Sequence, residues 1–440
     1  MNRLNALSPL DGRYAKDTAA LAQIFSESAL MKYRTQVEIE WLLFMPDTQF
    51  TPAEIQDLRH IYQAFSESDA EKIKAFERET NHDVKAVEYF LRERAPSIKA
   101  ALWHFGCTSE DINNLAYGLM IKSALRTIML PQLADLIQAL DHKAQEYRHI
   151  PMLARTHGQP ASPTTLGKEL ANFVYRLQRQ YQTLQNQQIL GKFHGATGNF
   201  NAHYVARPEI NWFDVSQRFV ESLGLTFNPM VTQIEPHDFI AELSHTFARI
   251  NTILIGFARD IWTYISLDYF KLNVIKTEVG SSTMPHKVNP IDFENAEGNL
   301  GLANALWIHF AEKLPISRLQ RDLSDSTVLR NIGSACAYSS LAYRSLAKGI
   351  HKINPNPAAL AADLNERYEV LTEAIQMVLR DHGIDDAYEQ LKTASRGQAF
   401  TREIYLDFVQ NLNLPTPIKE RLLALTPATY LGNAGVGCPK

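Results

Sequence analysis

The sequence has 440 residues, of which 45% are hydrophobic and 21% charged, and its formal net charge at pH 7 is −4. This composition is typical of a soluble globular protein, and the length suits about three domains of roughly 150 residues each. The weak net charge and the absence of a long Lys/Arg run exclude nucleic acid as an expected partner.

The first residues, MNRLNALSPLDGRY, contain no continuous apolar segment of signal-peptide length. No run approaches the roughly 18 uninterrupted apolar residues that cross a membrane, so we expect no membrane partner. Cys107, Cys336 and Cys438 form an odd and widely spaced set, which argues against a disulfide framework and predicts a protein of the reducing cytoplasm. Neither CxxC nor HExxH occurs, and we expect no dedicated metal site.

Apolar residues recur at helical spacing through most of the chain. The region before about residue 106 indicates shorter helices with more loops, and 115–148 indicates a longer helical pattern. Pro131 within that pattern is expected to kink or break the helix. Residues 166–184 then show one apolar face with Lys, Glu and Arg between its members, which predicts an amphipathic helix.

The run from Ile240 to Ile265 keeps helical spacing without Gly-Pro punctuation and predicts a helix of about 30 residues, roughly 45 Å long. The pattern returns over 296–350, where Pro315 is a second expected kink or break. Such long helices favour a bundle, so the predicted class is all-α with a central long-helix bundle. The NPNP stretch at 354–357 marks the last of two predicted boundaries. The three predicted domains are 1–105, 106–353 and 354–440.

The stretch TNHDVKAVEYF places polar residues at the start of a predicted helix. Asn81 or Asp83 would cap that helix, and His82 would lie at its N-terminus. Capping with an exposed histidine is one interpretation. The other is that the neutral imidazole of His82 donates or accepts a hydrogen bond near an anion at the helix N-terminus.

The stretch GCTSEDINN at 106–114 is similar, because Thr108 with Asp111 resembles a capping box. Capping alone would explain it. The alternative is that the hydroxyls of Thr108 and Ser109, with free backbone N–H groups, hold a carboxylate or phosphate.

The stretch LARTHGQPASPTT at 153–165 reads as a loop around a Gly-Pro turn, immediately before an amphipathic helix. It carries Arg155, Thr156, His157 and Gln159, a density that suggests binding or catalysis, although a solvated loop histidine is the open alternative. VTQIEPHD at 231–238 has the same character more weakly. Its Gln233 and His237 precede the longest predicted helix, where structural capping is the favoured interpretation.

The strongest candidate is TEVGSSTMPHKVNPIDFEN at 277–295, in which one glycine and two prolines define a stiffened loop. Ser281 and Ser282 supply hydroxyls, Lys287 a cation and Asn289 an amide, and a structural linker needs none of these. Downstream, SRLQRDLSDSTVLR at 317–330 provides Arg321, Ser326 and Arg330, which are suited to binding an oxyanion. The alternative is that they form a charged helix face.

The stretch GSSTMPHKVNP resembles the signature loop of the fumarase/aspartase superfamily, whose members release fumarate by β-elimination. Together with SPLDGRY, TNHDVKAVEYF, CTSEDINN, RTHGQPASP, TQIEPHD and STVLRN, it resembles the longer bacterial branch of the adenylosuccinate lyase family, from about residue 8 to about 433. The final GVGCPK does not match that pattern. The resemblance implies a three-domain α fold, a homotetramer with sites shared between subunits, purine nucleotide substrates and no cofactor.

The resemblance also implies roles for individual residues. His157 would be the general acid and Ser281 the general base, with His82, Lys287 and Asn289 completing the catalytic set. The implied substrate-binding residues are Arg13, Tyr14, Asn81, His82, Asp83, Thr108, Ser109, Gln233, Ser282, Lys287, Val288, Asn289, Asn295, Arg321, Ser326, Thr327, Val328, Leu329 and Arg330.

The implied chemistry suits these residue types. Removing a proton beside a carboxylate produces a dianion, which Lys287 and Asn289 can stabilise, and the departing nitrogen needs a proton from His157. Serine is a weak base, so we expect the loop carrying Ser281 to close and exclude water. A sister lyase acting on another fumarate-forming substrate such as argininosuccinate, or a non-catalytic helical scaffold, are the alternatives.

Overall fold

The computed structural model describes residues 3–273, 283–284, 286–395 and 400–435. Most of these residues are helical, and the predicted all-α class is confirmed. The first helices are α1 (Ala19–Phe25), α2 (Glu27–Phe44), α3 (Pro52–Gln63), α4 (Glu67–Thr80), α5 (Asp83–Arg94), α6 (Ser109–Ala124) and α7 (Leu130–Glu146).

The later helices include the four longest α-helices among the described residues. In chain order, the later helices are α8 (Leu166–Gln185), α9 (Asn201–Ala206), α10 (Trp212–Ser222), α11 (Asp238–Ser266), α12 (Ile291–Lys313), α13 (Ser324–Leu329), α14 (Ile332–Lys352), α15 (Pro357–Asn365), α16 (Thr372–Asp381), α17 (Ala387–Ser395), α18 (Arg402–Asn411) and α19 (Thr416–Leu423). The four longest are α8, α11, α12 and α14. The amphipathic helix predicted at 166–184 is confirmed as α8, and the long helix predicted from Ile240 is confirmed as α11, with 29 residues.

Short strands form three two-stranded sheets within the described residues. The strands are β1 (Pro151–Thr156), β2 (Gln159–Thr165), β3 (Leu190–Gly191), β4 (Thr226–Phe227), β5 (Phe270–Leu272) and β6 (Ile353–Pro355). Pairing is antiparallel for β1 with β2 and for β5 with β6, and parallel for β3 with β4.

The two expected proline breaks have different outcomes. Pro131 lies in the first turn of α7, and a π-helical turn over Leu125–Met129 joins α6 to α7 without a break, with the Leu130 N–H donating to the Leu125 carbonyl. Since proline lacks an N–H and crowds the carbonyl four residues earlier, a wider turn accommodates it. Pro315 does stand beyond a helix end, because α12 finishes at Lys313.

The chain divides into two compact units, and the first comprises Met1–Ala134, Gln180–Thr252 and Gly298–Tyr343. Aromatic rings fill part of its core: Trp41 lies 4.2 Å from Phe193 between ring centroids, and Phe247 stacks on Trp307 at 4.6 Å. A buried polar group accompanies them. The Asn251 amide donates to Ser339 at 3.1 Å and accepts from the Tyr343 hydroxyl at 2.9 Å, so this polar group is satisfied.

The second unit comprises Asp135–Arg179, Ile253–Glu297 and Arg344–Lys440. Phe257 packs between Phe173 and Phe293, at centroid distances of 5.5 and 6.2 Å. A separate apolar cluster contains residues of α15 to α19, among them Ile375 and Tyr405, together with Leu153 of β1. The three-domain division stays a prediction. Among the described residues, no helix is long and apolar enough to cross a membrane.

Candidate active site

The segment around His157 is a β-hairpin, so the expectation of a loop was wrong. Thr156 pairs with Gln159, and the two residues between them, His157 and Gly158, have φ values of +54° and +75°. Positive φ at both central positions defines a type I′ turn, whose twist matches that of the flanking strands. Prolines at 160 and 163 hid the strand from sequence analysis, because proline is uncommon inside strands. His157 is therefore exposed at a hairpin tip.

Arg155 fixes this hairpin two residues before its tip. Its Nη1 donates to the Tyr269 hydroxyl at 2.6 Å and its Nη2 to Asp363 Oδ2 at 2.7 Å, while the Tyr269 hydroxyl also donates to Asp363. Burial and the hydrogen bond to Asp363 raise the pKa of Tyr269 to about 12, so the phenol keeps its proton. Arg155, Tyr269 and Asp363 thus form a closed triangle of hydrogen bonds that holds the strand leading to His157.

The remaining candidates of the second unit surround the start of α12. Lys287 and Val288 are exposed, Asn289 is half-buried, and Asn295 is exposed in the second turn of the helix. The Lys287 N–H donates to the Met284 carbonyl at 3.1 Å. Ser281 and Ser282 lie outside the described residues, so their roles stay predictions.

In the first unit, His82 itself is the cap of α5, which corrects the expectation that Asn81 or Asp83 caps it. His82 Nδ1 accepts from the Lys85 N–H at 3.1 Å. Asn81 adopts a left-handed conformation, with φ +52°, that ends α4, and Asp83 is the first residue of α5. With Nδ1 used as an acceptor, Nε2 carries the hydrogen that His82 can donate to an anion.

Asp83 bridges two arginines. Its Oδ2 accepts from Arg34 at 2.8 Å and lies 3.2 Å from Nη2 of Arg330. Burial alone raises the pKa of Asp83, but Arg34 and Arg330 outweigh burial and lower it below the ordinary value. Arg330 also borders a cavity of about 360 Å³, whose lining includes Tyr117. Asp83 and Arg330, each predicted to bind substrate, are therefore in contact, and Arg34 also binds Asp83.

The capping box predicted at the start of α6 is confirmed in part, since the Thr108 N–H donates to Asp111 Oδ2 at 2.8 Å. Asp111 does more than cap. Its Oδ1 accepts from Lys192 Nζ at 2.7 Å and from the His194 N–H at 2.9 Å, and the side chains of Asp111 and Lys192 have no exposed surface. Gln233 donates to the Ala196 carbonyl at 2.9 Å. The loop after β3 is thus fixed between α6 and Gln233.

Arg321 lies between two buried carboxylates. Its Nη1 is 3.1 Å from Glu110 Oε2 and 3.0 Å from Asp325 Oδ2, and Asp325 Oδ2 is 3.2 Å from His237 Nε2. Glu110, His237 and Asp325 form the group of possible metal ligands found among the described residues. Burial lowers the pKa of His237, but hydrogen bonds to Asp325 and Glu235 raise it to about 9. The guanidinium of Arg321 already supplies positive charge between Glu110 and Asp325, so the donor set does not suit a metal cation.

The other candidates of the first unit sit on short segments. Arg13 is exposed, with its guanidinium carbon 5.8 Å from the centroid of the Tyr14 ring. Helix α13 carries Ser326, Thr327 and Val328 with partly or fully exposed side chains, whereas the Leu329 side chain is buried. Leu329 could reach a ligand only through its backbone. Ser109 is half-buried at the start of α6.

Comparison with known proteins shows the family to which the chain belongs. The family model described as Lyase matches residues 12–304, and the one described as Adenylosuccinate lyase C-terminal matches residues 317–431. Adenylosuccinate lyases of Vibrio cholerae and Escherichia coli are 54% and 52% identical to the chain, over 99% of it and 98% of each relative. The chain belongs to the adenylosuccinate lyase family. The predicted family and lyase class are confirmed.

Solved structures of two other proteins share the fold of this chain. The 3-carboxy-cis,cis-muconate lactonizing enzyme of Pseudomonas putida superposes with a TM-score of 0.75 at 23% identity, and covers 95% of both chains. A fumarate lyase of Mesorhizobium sp. BNC1 gives 0.76 at 18% identity, with 95% of this chain and 96% of the other covered. At these identities the likeness supports the fold alone.

Several residues that hold the candidates in place in this member of the adenylosuccinate lyase family are not among those predicted from the sequence. Arg34 and Lys192 are the clearest, with side chains 4% and 0% exposed. Each was visible as a charged residue at an apolar position: Arg34 follows Leu30 by four residues and precedes Val37 by three, and Lys192 stands inside ILGKFHG. A buried charge needs a partner, so these positions pointed to carboxylates elsewhere in the chain.

Proposed function

We propose that the chain eliminates fumarate from adenylosuccinate, leaving AMP, and from the succinyl-carboxamide imidazole ribotide, leaving the carboxamide (AICAR). The observation that carries this proposal is the 52–54% identity to adenylosuccinate lyases over nearly the whole chain. Both reactions belong to purine biosynthesis, and we place the protein in the cytoplasm. A sister lyase acting on argininosuccinate is the alternative that the experiment below separates.

His157 is the proposed general acid. The type I′ turn leaves its imidazole exposed, and Arg155 fixes the strand that carries it, so the ring can reach a bound substrate from a rigid support. The leaving nitrogen of the purine departs as a neutral amine only if it gains a proton as the C–N bond breaks. A positioned histidine can supply that proton near neutral pH.

Ser281 is the proposed general base, which removes the proton from the carbon beside the succinyl carboxylate. The resulting dianion needs positive charge and amide donors nearby, and Lys287 and Asn289 are proposed to supply them. Lys287 is exposed just before α12, so its ammonium group is accessible to a ligand. Closure of this loop would exclude water and so make a serine alkoxide attainable.

Phosphate and nucleotide binding is proposed for residues of the first unit. Arg321 and Arg330 hold guanidinium groups at the two ends of the α13 segment, and both are oriented by carboxylates. His82 caps α5, and Thr108 with Ser109 starts α6, so two helix N-termini are available for substrate carboxylates. Arg13 and Tyr14 are proposed to join the nucleotide contacts.

We also propose a homotetramer whose active sites draw residues from several subunits. Leu302 and Ile308 of α12 are 53% and 47% exposed, and Trp262 of α11 is 46% exposed. Large apolar side chains on long bundle helices are expected to be covered by further copies of the chain. The proposed catalytic residue His157 is exposed too, which suits a site completed on assembly.

The activity is tested with purified protein by following ultraviolet absorbance with adenylosuccinate and, separately, argininosuccinate. Turnover of adenylosuccinate alone is expected, and no turnover of either substrate would contradict the proposal. His157→Ala and Ser281→Ala should each remove most turnover while leaving nucleotide binding measurable. His142→Ala is the matched control, since His142 is an exposed histidine of α7.

Shared sites are tested by mixing the two inactive variants after mild dissociation and reassembly. If His157 and Ser281 of one site come from different subunits, about one quarter of the sites in random hybrids contain both intact residues, and activity returns. Mixtures that stay inactive although hybrids form would place both residues on the same subunit. Light scattering of the wild-type protein measures the tetramer directly.

A further inference from the structure

A buried chain of charges runs from α6 to the segment before α11. Glu110 contacts Arg321, Arg321 contacts Asp325, and Asp325 contacts His237 Nε2 at 3.2 Å. His237 continues the chain, because its backbone N–H donates to Glu235 Oε2 at 2.8 Å and its Nδ1 lies 3.6 Å from the same oxygen. His237 is 2% exposed and Glu235 1% exposed. Three carboxylates thus share two cations in a nearly dry environment.

Arg321, which lies between Glu110 and Asp325, is the most exposed member of this series of charged groups. The Arg321 side chain is 18% exposed, and both of its carboxylate contacts use Nη1. Among the described residues, none is a partner of Nη2 or Nε of Arg321, so these two donors remain for a ligand. A guanidinium held at one corner presents its other edge in a fixed direction, which is what bidentate binding of a phosphate requires.

Asp325 connects this chain to the proposed nucleotide segment. Its Oδ1 accepts from the Ser326 N–H at 2.7 Å at the start of α13, and its Oδ2 holds Arg321 and His237. One carboxylate therefore sets the direction of Arg321 and the start of the helix that carries Ser326. Without a cation at His237, Asp325 would be free to turn toward Arg321 alone.

We infer that His237 is a positioning residue, which acts through Asp325 to aim Arg321 at the phosphate of the nucleotide. This inference rests on the proposed function, and it assigns to His237 a role beyond the helix capping expected from the sequence. His237 does not touch substrate. Its loss should weaken recognition of the phosphate while leaving the elimination chemistry intact, because the proposed acid and base are unaffected.

The test compares binding of AMP, adenosine and inorganic phosphate by calorimetry in wild-type protein and His237→Gln. The expected result is AMP affinity weakened about tenfold, adenosine affinity changed less than twofold, and KM raised with kcat within about twofold. Arg321→Lys should show the same selectivity, and His60→Gln, at an exposed histidine of α3, should behave as wild type.

Two outcomes would overturn the inference: equal weakening of AMP and adenosine, or AMP affinity unchanged in a folded His237→Gln protein. If His237→Gln does not fold, Asp325→Asn, which keeps the shape of the side chain, must show the phosphate-selective loss, and its absence likewise contradicts the inference. Failure of the proposed function is separate, because wild-type protein would then show no turnover of adenylosuccinate.

Discussion

Arg34 holds Asp83 from inside the core: its Nη2 donates to Asp83 Oδ2 at 2.8 Å, and its Nε donates to Asn113 at 2.8 Å. The Arg34 side chain is 4% exposed and that of Asp83 is 29% exposed. Helix α2 therefore supplies a buried cation that fixes the first residue of α5, beside the cap His82. Asp83 in turn contacts Arg330. The buried Arg34 therefore orders Asp83 and Arg330, which are both proposed to bind substrate.

Replacing Arg34 with methionine should destabilise the first unit and weaken nucleotide binding. Among the described residues, the change leaves Asp83 with Arg330 as its one cationic partner. Breaking a buried pair costs several kcal/mol, reduced here to roughly 2 kcal/mol because Asp83 is partly exposed. Urea unfolding measures the loss. Lys32→Met, at a half-buried position of the same helix, is the control, and an equal effect there would contradict the assignment.

Replacing Arg155 with alanine should lower kcat more than it raises KM. The change removes the donors to Tyr269 and Asp363, so the hairpin tip with His157 loses its lateral support while the substrate contacts of the first unit stay. We expect a loss of about tenfold in kcat, as for a modest misplacement of a catalytic group. Steady-state kinetics provide the measurement.

Arg155→Lys and Tyr269→Phe serve as graded controls for that prediction. Lysine keeps the charge but cannot bridge two partners in the same plane, so partial recovery is expected. Tyr269→Phe removes one side of the triangle and leaves the Arg155–Asp363 contact at 2.7 Å, so its effect should be smaller than that of Arg155→Ala. Wild-type kcat in all three variants would show that the hydrogen bonds of Arg155 and Tyr269 do not position His157.

The long helices were predictable because their burial is periodic. Phe247 and Phe257 of α11 and Leu170 and Leu177 of α8 face apolar neighbours at helical spacing, so the local pattern records the packing. The hairpin was not predictable in this way. Its strands pair through backbone groups, its tip is exposed, and its prolines carry the opposite local preference.

The candidate residues were found from the sequence, but their supports were not. A motif such as TNHDVKAVEYF shows His82 and Asp83, whereas the partner of Asp83 lies 49 residues away in α2. The same holds for His237, whose partner Asp325 is 88 residues away. Such pairings depend on tertiary packing, and local propensity contains no record of them. The N-cap of α5 is His82 and not Asn81, because Asn81 is the C-cap of α4.

Replacing Gly158 with alanine should destabilise the hairpin turn by strain alone. Gly158 has φ +75°, and no atom lies within 4 Å of where a Cβ would stand, so no clash contributes. A left-handed conformation costs an L-residue about 1–2 kcal/mol, which the turn must absorb by shifting His157. Turnover should fall while AMP binding stays. Gly383→Ala, at an equally open glycine with φ +75°, is the control for unfolding and should leave turnover unchanged.

The charge of His237 should make the stability of the protein depend on pH in the alkaline range. Its pKa is raised from 6.5 to about 9 in the folded protein, since Asp325 and Glu235 outweigh burial, with Glu110 adding to them. A group whose pKa is raised by folding stabilises the folded state fully below its unfolded pKa, and that stabilisation is lost as pH rises through the folded value. The window therefore lies between pH 6.5 and about 9, with a loss of up to about 3 kcal/mol.

Other groups titrate in the same pH window, so the contribution of His237 is measured as the difference in unfolding free energy between wild type and His237→Gln. Urea unfolding of wild type and His237→Gln at several pH values should show a gap in unfolding free energy that is largest near pH 6 and closes toward pH 9.5. A gap that is constant across this range would mean that His237 is neutral in the folded protein and that Asp325 is held by Arg321 alone.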